Sequence, residues 1–457
     1  LKRLRPARWQ GTGVEMAKPR VVVVGAGFGG FSCLRGLERR LPPGAAELVL
    51  VNPSDYHLYT PLLPQVAAGV VNPADAAVPL RGLRRTRLKP GEAIGVDLDA
   101  RTVTVRDRDG NVSGIGWDRL VLAPGSVTRA VDVPGLKEHA HGFKTIMEAV
   151  YLRERVLAQL ELADGLRDGA ERAAYTTFVV VGAGLAGTEY VAQMRMFVRS
   201  ALAAYPRLRA EHIRWIIVDP GHRILSHLDP RLSERALAIL RSRDVEVRLG
   251  AAVDRLTADT VHLSDGTTVA CRLLVWTAGV AADPLVGELG LPTEKGRLVV
   301  GADLAVPGRP DVVALGDAAA VPDLTRPGSV CPQTAQHAMR QGHAAARNVA
   351  AGLGHGRARP YRHRDLGAVA DLGGGQAVAA PFNLRVTGRA ASAITGAYHL
   401  FALPAAGNRL RVAADWALAG LLSRQTVSLG LVPDAAAELS RAEQLSIRPP
   451  AERKPAG

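Results

Sequence analysis

Residues 21–30 read Val-Val-Val-Val-Gly-Ala-Gly-Phe-Gly-Gly. Four β-branched residues in a row suit a strand buried on both faces, the habit of parallel sheets. The turn that follows carries Gly25, Gly27 and Gly30 in a GxGxxG pattern. Each glycine has its own use: a tight bend, close backbone approach to a pyrophosphate, and close packing of helix on strand. Leu34, Leu37 and Leu41 continue at helical spacing, and Leu48, Val49, Leu50 and Val51 form the next apolar run. The reading is a β-α-β unit whose helix N-terminus faces a phosphate.

The pattern returns at residues 178–187, where Phe178-Val179-Val180-Val181 runs into Gly182-Ala183-Gly184-Leu185-Ala186-Gly187. Tyr190, Val191, Met194 and Phe197 then keep helical spacing, and Ile213 with Trp215, Ile216, Ile217 and Val218 makes a further strand. A recurrence so far along the chain is a duplicated domain rather than a solenoid repeat. One glycine-rich turn is a weak signal. Two, each set between an apolar strand and a helix, point to two dinucleotides with hydride passing between them, most simply from NADH to FAD. The second unit's strand ends at Asp219, whose carboxylate would accept from ribose hydroxyls and repel a 2′-phosphate. That favours NADH, and Arg223 nearby reads as a solvated surface arginine. The first unit ends instead at Asn52, which can bond a ribose without charge.

Composition bounds the rest. The chain has 457 residues, 47% apolar and 22% charged, which describes a folded protein of two to four domains. Its net charge is +14, yet it holds only 7 lysines. Arginine therefore carries the excess, as a GC-rich coding bias would produce. The run Arg81, Arg84, Arg85 and Arg87 has no interleaved aromatics and reads as a solvated or lipid-facing helix, so nucleic acid is not expected as a partner. Cys33, Cys271 and Cys331 form no CxxC or CxxxxC, which argues against a disulfide framework, a zinc ribbon or a dithiol redox centre. There is no HExxH, and His139 and His141 read as surface-loop residues, so no metal is expected. No GxSxG elbow supports a hydrolase. Between Arg389 and Arg409 lie 19 uncharged residues, but Pro404 and His399 among them speak against a membrane span. Residues 1–15 are basic with no apolar stretch of a secretory signal, and read as an extension before Met16.

Short apolar runs fill the remainder. Residues 96–105, 120–122, 245–249, 261–263 and 273–276 read as antiparallel inserts following each dinucleotide unit. Two of them enter turns, Ala123-Pro124-Gly125 and Thr277-Ala278-Gly279. Residues 312–315 run into Gly316-Asp317, and a helix is expected from Thr334 to about Ala351. In the tail, Tyr398, Leu400, Phe401, Leu410, Val412, Trp416 and Leu421 alternate with Arg409, Arg411 and Arg424. That pattern suits a pair of interfacial amphipathic helices with arginines at anionic headgroups, or else a docking or dimerisation surface.

In combination these blocks resemble the type II NADH:quinone oxidoreductases, single-chain flavoproteins that do not pump protons. The likeness spans about residues 20–430. It rests on Tyr56-His57-Leu58-Tyr59, the block from Pro61 to Ala67, residues 120–125, Trp276-Thr277-Ala278-Gly279-Val280 and Ala314-Leu315-Gly316-Asp317. It rests also on Pro332-Gln333-Thr334-Ala335-Gln336, Gln341-Gly342 and the tail blocks at Tyr398-His399-Leu400 and Gly407-Asn408-Arg409-Leu410. The resemblance implies FAD held by Gly25, Gly27, Gly30, Asn52, Ala123, Gly125 and Asp317. It implies NADH held by Gly182, Gly184, Gly187, Asp219, Ala278 and Gly279. Gln336 would line the quinone end of the flavin, and Glu189 would relay protons to the reduced quinone. Where the family often has a second glutamine, this chain has Arg340, a cation that would either stabilise a quinol anion or block the usual quinone pose.

The expected fold is α/β, with two Rossmann-like domains, the second inserted in the first. The FAD domain takes 16–145 and 290–385, the NADH domain 146–289, and a membrane-facing region 386–457. The expected partners are NADH, a membrane quinone and anionic lipid at the cytoplasmic face of the membrane, with a homodimer compatible. Three alternatives stand: a sulfide:quinone oxidoreductase using Cys331, an NADH-linked reductase of a soluble carrier, and a nucleotide-binding sensor without turnover.

Overall fold

The computed structural model describes residues 18–129, 131–422 and 424–430. The N-terminal extension, Met16 and the polar end after 430 lie outside them. Along the chain, strand β1 (Arg20–Val24) leads into helix α1 (Phe28–Arg40) and strand β2 (Glu47–Asn52), giving the first β-α-β unit. A short helix α2 (Leu63–Ala67) and strands β3 (Thr86–Pro90) and β4 (Arg119–Leu122) follow. The second unit comprises strand β5 (Ala140–Gly142), helix α3 (Ile146–Gly165), strand β6 (Thr177–Val181), helix α4 (Leu185–Ala201) and strands β7 (Arg214–Asp219), β8 (Val245–Leu249) and β9 (Leu273–Trp276). The chain then returns to the first sheet with strands β10 (Ala305–Val306) and β11 (Arg309–Ala314) and helix α5 (Ala335–Gly352). It ends in a small sheet, β12 (Val369–Asp371), β13 (Ala377–Ala379) and β14 (Val386–Thr387), with helices α6 (Gly388–Ala402) and α7 (Ala406–Leu421).

The first sheet has the order β10-β11-β4-β1-β2-β3, parallel except for the β10–β11 edge. The second has the order β5-β9-β6-β7-β8 and is parallel throughout. Both are built outward from the apolar runs that precede the glycine turns. Val22 stands between Val49 and Leu120, and Val180 between Ile217 and Val275. In the second sheet, Phe178, Val180, Trp215 and Ile217 join the large core, whereas Val179, Val181, Ile216 and Val218 join a smaller one with Val261, Leu263 and Val269. Successive strand side chains point to opposite faces, so a strand covered on both sides reads as unbroken apolar sequence.

Several local expectations are corrected. Residues 120–122, 245–249 and 273–276 are not antiparallel inserts but parallel strands of the two main sheets. Runs of four or five residues are too short for alternation to reveal their direction. Residues 96–105 and 261–263 do lie in separate antiparallel sheets. The arginine run is not a helix: Arg81 sits in a single 3-10 turn and Arg87 in edge strand β3. Arg85 donates to the carbonyls of Leu41 and Pro42 at 2.8 and 2.7 Å, satisfying acceptors left at the end of α1. His139 closes a helical turn and His141 pairs in β5 against Val275, so neither is a free loop residue. The tail helices begin at Gly388, ten positions ahead of the aromatic pattern that announced them. Asn408 of α7 docks them on the body, donating to the carbonyls of Asp75 and Ala77 at 3.0 and 2.9 Å. Among the described residues, no helix is long and apolar enough to cross a membrane.

Candidate active site

The two glycine turns have the same geometry. Gly25 and Gly182 adopt φ of +92° and +104°, a region that favours glycine. A Cβ on Gly30 would stand 1.9 Å from the Gly25 carbonyl oxygen, and one on Gly187 2.0 Å from that of Gly182. These outer glycines are needed for packing. A Cβ on the middle glycines, Gly27 and Gly184, would meet nothing within 4 Å. The space in front of each helix N-terminus is open, and a pyrophosphate fits there against free N–H groups. The residue closing each β-α-β unit ties down its turn. Asn52 Oδ1 accepts from Ala26 N at 2.8 Å, and Asp219 Oδ2 accepts from Ala183 N at 2.7 Å. That one acceptor is all the turn needs, which explains how an amide can stand where a carboxylate was expected. Arg223 is no solvated arginine. It is half-buried and donates to the carbonyls of Ser226 and Leu228 at 2.6 and 3.3 Å, turned into its own loop.

A cavity of about 370 Å³ opens at the carboxyl ends of β1 and β2, lined by Gly25, Asn52, Ser126, Lys144, Glu148 and Asp283 among others. Ligands of doubly wound sheets bind at this place. Asp317 reaches the same cluster: Ser126 Oγ donates to its Oδ2 at 2.6 Å, and Lys144 Nζ donates to that Oγ at 2.6 Å and to the Ser126 carbonyl. Burial lowers the Lys144 pKa, opposed by the charges of Asp317, Glu148 and Asp283. Burial pushes Asp283 up to about 6. Gln333 and Gln341 hold the Gly316-Asp317 turn by bonds of 3.0 Å to the Asp317 carbonyl and 2.8 Å from Gly316 N. Ala123 stands against the first turn, its carbonyl oxygen 2.2 Å from where a Cβ on Gly25 would be, and Thr277 and Ala278 stand against the second, within 2.9 Å of one on Gly182. Antiparallel pairing of Ser126–Thr128 with Val280–Ala282 fastens the two loops together. Lys144, Ser126 and Glu148 were not found by sequence reasoning. The one available signal was the Thr145-x-x-Glu148 capping box, which the structure contains and which presents Lys144.

At the other end of this junction Glu189, the fifth residue of α4, accepts the backbone N–H of Asp371 at 2.7 Å. Burial, with the Asp371 charge, holds its carboxyl well above the usual carboxylate range, against the pull of that N–H. Gln336 donates to the Gly367 carbonyl at 2.9 Å, and its side chain moderates the rise that burial imposes on the Tyr398 hydroxyl. Arg340 lies 3.3 Å from His363 Nε2, donates to the Arg364 carbonyl, and acts electrostatically on Tyr398. Tyr59 Oη and His399 Nδ1 are 3.1 Å apart, and burial drops His399 to about 4. The structure thus joins Gln336, Arg340 and Tyr398 in one cluster. Tyr59, which feels the charges of both Tyr398 and Glu189, connects that cluster to the Glu189 carboxyl. Of these residues Glu189 alone stands on a helix that follows a glycine turn; Gln336 and Arg340 come from α5, and Tyr398 and His399 from α6.

The chain matches the model of the pyridine nucleotide-disulphide oxidoreductase family over residues 19–342. It is 32% identical to the type II NADH:quinone oxidoreductase NdhA of Mycobacterium tuberculosis over 87% of this chain and 86% of that one. It is 30% identical to the demethylphylloquinone reductase NdbB of Synechocystis over 88% and 96%. Its fold superimposes on the NDH2 of Plasmodium falciparum in complex with NADH, with a TM-score of 0.83 at 18% identity, covering 90% of this chain and all of that one. The chain belongs to the type II NADH:quinone oxidoreductases.

The cysteines are consistent with this family rather than with a sulfide-oxidising relative. Cys33, Cys271 and Cys331 are all buried and unbonded. Burial pushes Cys33 and Cys271 up to about 12 and Cys331 up to about 11, the reverse of what a reactive thiolate needs. A type II enzyme needs no dithiol, because its nucleotide cradles and flavin carry the redox chemistry. Among the described residues no group of histidine, cysteine or acidic side chains could hold a metal ion, although His337 and His363 stack at 3.7 Å.

Proposed function

We propose that the chain oxidises NADH through bound FAD and delivers two electrons to a membrane quinone without moving protons across the membrane. The observation that carries this reading is the pair of open glycine cradles, bound together by the Ser126–Thr128 and Val280–Ala282 ribbon, with a carboxyl–amide cluster at their junction. Gly25, Gly27, Gly30, Asn52, Ala123, Gly125 and Asp317 hold FAD, joined by Lys144 and Ser126. FAD supplies the two-electron exchange between nicotinamide and quinone. Gly182, Gly184, Gly187, Asp219, Ala278 and Gly279 hold NADH. Asp219 accepts from ribose, and with Arg223 turned away no cation waits for a 2′-phosphate. Glu189, its carboxyl held well above the usual range by burial, offers a proton to a quinone oxygen, and Gln336 donates to the same ring. Arg340, drawn toward His363 and Arg364, lends positive charge to the Tyr398 side of the site. The FAD domain runs from β1 to residue 139 and over 290–385, and the NADH domain takes 140–289, its boundary drawn ahead of the expected 146 because β5 pairs in the second sheet.

The tail supplies access to the second substrate. Phe401, Leu410, Leu421 and Leu422 are 65–82% exposed, and Arg409 and Arg411 stand beside them. We infer that this face lies in the headgroup region of the cytoplasmic leaflet, with the arginines on anionic lipid. Self-association through α6 and α7 is the competing use of that face. The test of the redox reading is anaerobic spectroscopy of the purified protein. NADH should bleach the flavin bands and a short-chain quinone should restore them. A flavin that NADH does not bleach would overturn the reading.

A further inference from the structure

Asp371 was not singled out by the sequence, yet it is built into the site from three sides. Its backbone N–H holds the Glu189 carboxylate, and its own Oδ2 accepts from Gln65 at 2.8 Å and Gln193 at 2.9 Å. Its Oδ1 accepts from Gly373 N at 3.0 Å. Asp371 forms part of the wall of a second cavity, of about 480 Å³, enclosed by α2, α4, the turn between β12 and β13, and both tail helices. Thr395 also lines that cavity. Its side chain is 2% exposed and its hydroxyl has no hydrogen-bond partner. His399 completes the polar wall, while Trp416 donates to Gln65 Oε1 at 2.6 Å. A space this large, bordered by an unpartnered hydroxyl, an imidazole and a carboxylate, has the room and the polar lining that water requires.

Reduction of a quinone by NADH consumes one hydride and one solvent proton for each NAD⁺ and quinol formed. The hydride brings both electrons, so a route is needed only for the proton. We propose that Asp371 is the positioning residue that recharges Glu189, taking solvent protons from water in the cavity between the nucleotide domains and the tail helices. The inference rests on the quinone-reductase reading. Glu189 gives its proton to the quinone oxygen and becomes a carboxylate. Asp371 passes a proton to it by way of cavity water and is reprotonated from the same water, so one O–H bond breaks and one forms at each transfer. The charged groups facing Asp371 are Glu189 on α4 and Arg243, whose guanidinium donates to the carbonyls of Leu372 and, at 2.9 Å, Gly373. Arg424, beyond α7, and His399, on α6, look into the cavity. Burial raises Asp371, while its bonds from Gly373 and Gln65 and the Arg243 charge oppose the rise.

The experiment uses the purified holoenzyme as wild type, Asp371→Asn and Thr395→Val. Flavin reduction by NADH and reoxidation by menadione are followed separately in anaerobic stopped flow over a pH series, with and without formate. The protonated-carboxyl infrared band is recorded on the resting proteins. Asp371→Asn should reduce with NADH at a rate within about twofold of wild type but reoxidise roughly tenfold more slowly or worse. The defect should deepen as pH rises and be relieved by formate, and the carboxyl band should shift. Thr395→Val, nearly isosteric and with both carboxyls intact, should slow reoxidation alone. Reoxidation of Asp371→Asn at the wild-type rate would overturn the proposal. So would slowing that formate does not relieve and that leaves the pH profile unchanged, since that is structural damage. If wild type itself fails to react with menadione, the quinone reading falls. In that event a band shifted by Asp371→Asn keeps the relay for another acceptor, and an unshifted band removes it as well.

Discussion

Asp219 and Asn52 occupy equivalent positions and show how one side chain can serve two purposes. Each holds the second residue of its glycine turn by a side-chain oxygen. Asp219 adds a charge and accepts Gly221 N at 2.7 Å through its other oxygen. The two duties separate by mutation. Asp219→Asn should keep the Ala183 bond, give up the Gly221 one with a small fall in melting temperature, and relax the preference for NADH over NADPH by about tenfold, the loss of one charge-assisted contact of ~1.4 kcal/mol. Asp219→Ala should relax preference equally and also lower the melting temperature. Ratios of kcat/KM for the two nucleotides, with thermal melts, check both. Glu189 permits a pH prediction whose sign is fixed. Its folded pKa lies well above the ordinary value of 4.5, so between the two values the native state binds more protons than the unfolded one. Its contribution to stability is full below that ordinary value and is lost as pH rises through the folded pKa. Glu189→Gln should therefore flatten the fall in stability toward alkaline pH, as denaturant titrations at several pH values would show. It should also slow flavin reoxidation by quinone while leaving reduction by NADH intact.

At the level of elements, the turns were legible because their glycines are constrained by backbone geometry, which sequence records directly. Strand direction was not legible in residues 120–122, 245–249 and 273–276, because direction is set by distant partners in a sheet and not by local pattern. The arginine run 81–87 misled for a related reason. Its spacing looked helical, but Arg85 is placed by the carbonyls ending α1. Asp371 escaped notice since its importance comes from Glu189, Gln65 and Gln193, none of them near it in the chain. The following Gly373-Gly374-Gly375, all at positive φ, was the one local hint of a tight hairpin against α4. The glycine geometry also separates cofactor binding from folding. Gly27→Ala should fold with an unchanged melting temperature once stripped of flavin, because its Cβ meets nothing, yet lose flavin on gel filtration. Gly30→Ala, with a Cβ driven into the Gly25 carbonyl, should fail to fold or melt far lower with or without flavin.

Across the whole molecule, two parallel sheets share one mechanical junction, and the tail helices close a cavity on its far side. The order of parts matches the proposed order of transfer: nucleotide cradle, flavin cradle, carboxyl–amide cluster, then the tail with its exposed apolar face. The net charge of +14, which by itself suggests nucleic acid, is spent partly inside the fold, as Arg85, Arg223 and Arg243 show by bonding backbone carbonyls. Arg409 likewise donates to the carbonyls of Leu403 and Phe401 at 2.6 and 3.0 Å. The exposed face that includes Phe401 and Leu421 is the proposed lipid contact. Replacing both of those apolar residues by serine should move the protein from the membrane pellet to the supernatant and leave flavin reduction by NADH unchanged. Persistent sedimentation would assign the face to self-association instead. The central claim is that electrons enter from NADH and leave to a quinone. Its most direct test is a double-mixing stopped-flow measurement on the flavin-loaded protein without oxygen, NADH first and a short-chain quinone second. One equivalent of NADH should bleach the flavin bands fully, and one equivalent of quinone should restore them fully. Bleaching with no recovery would contradict that claim.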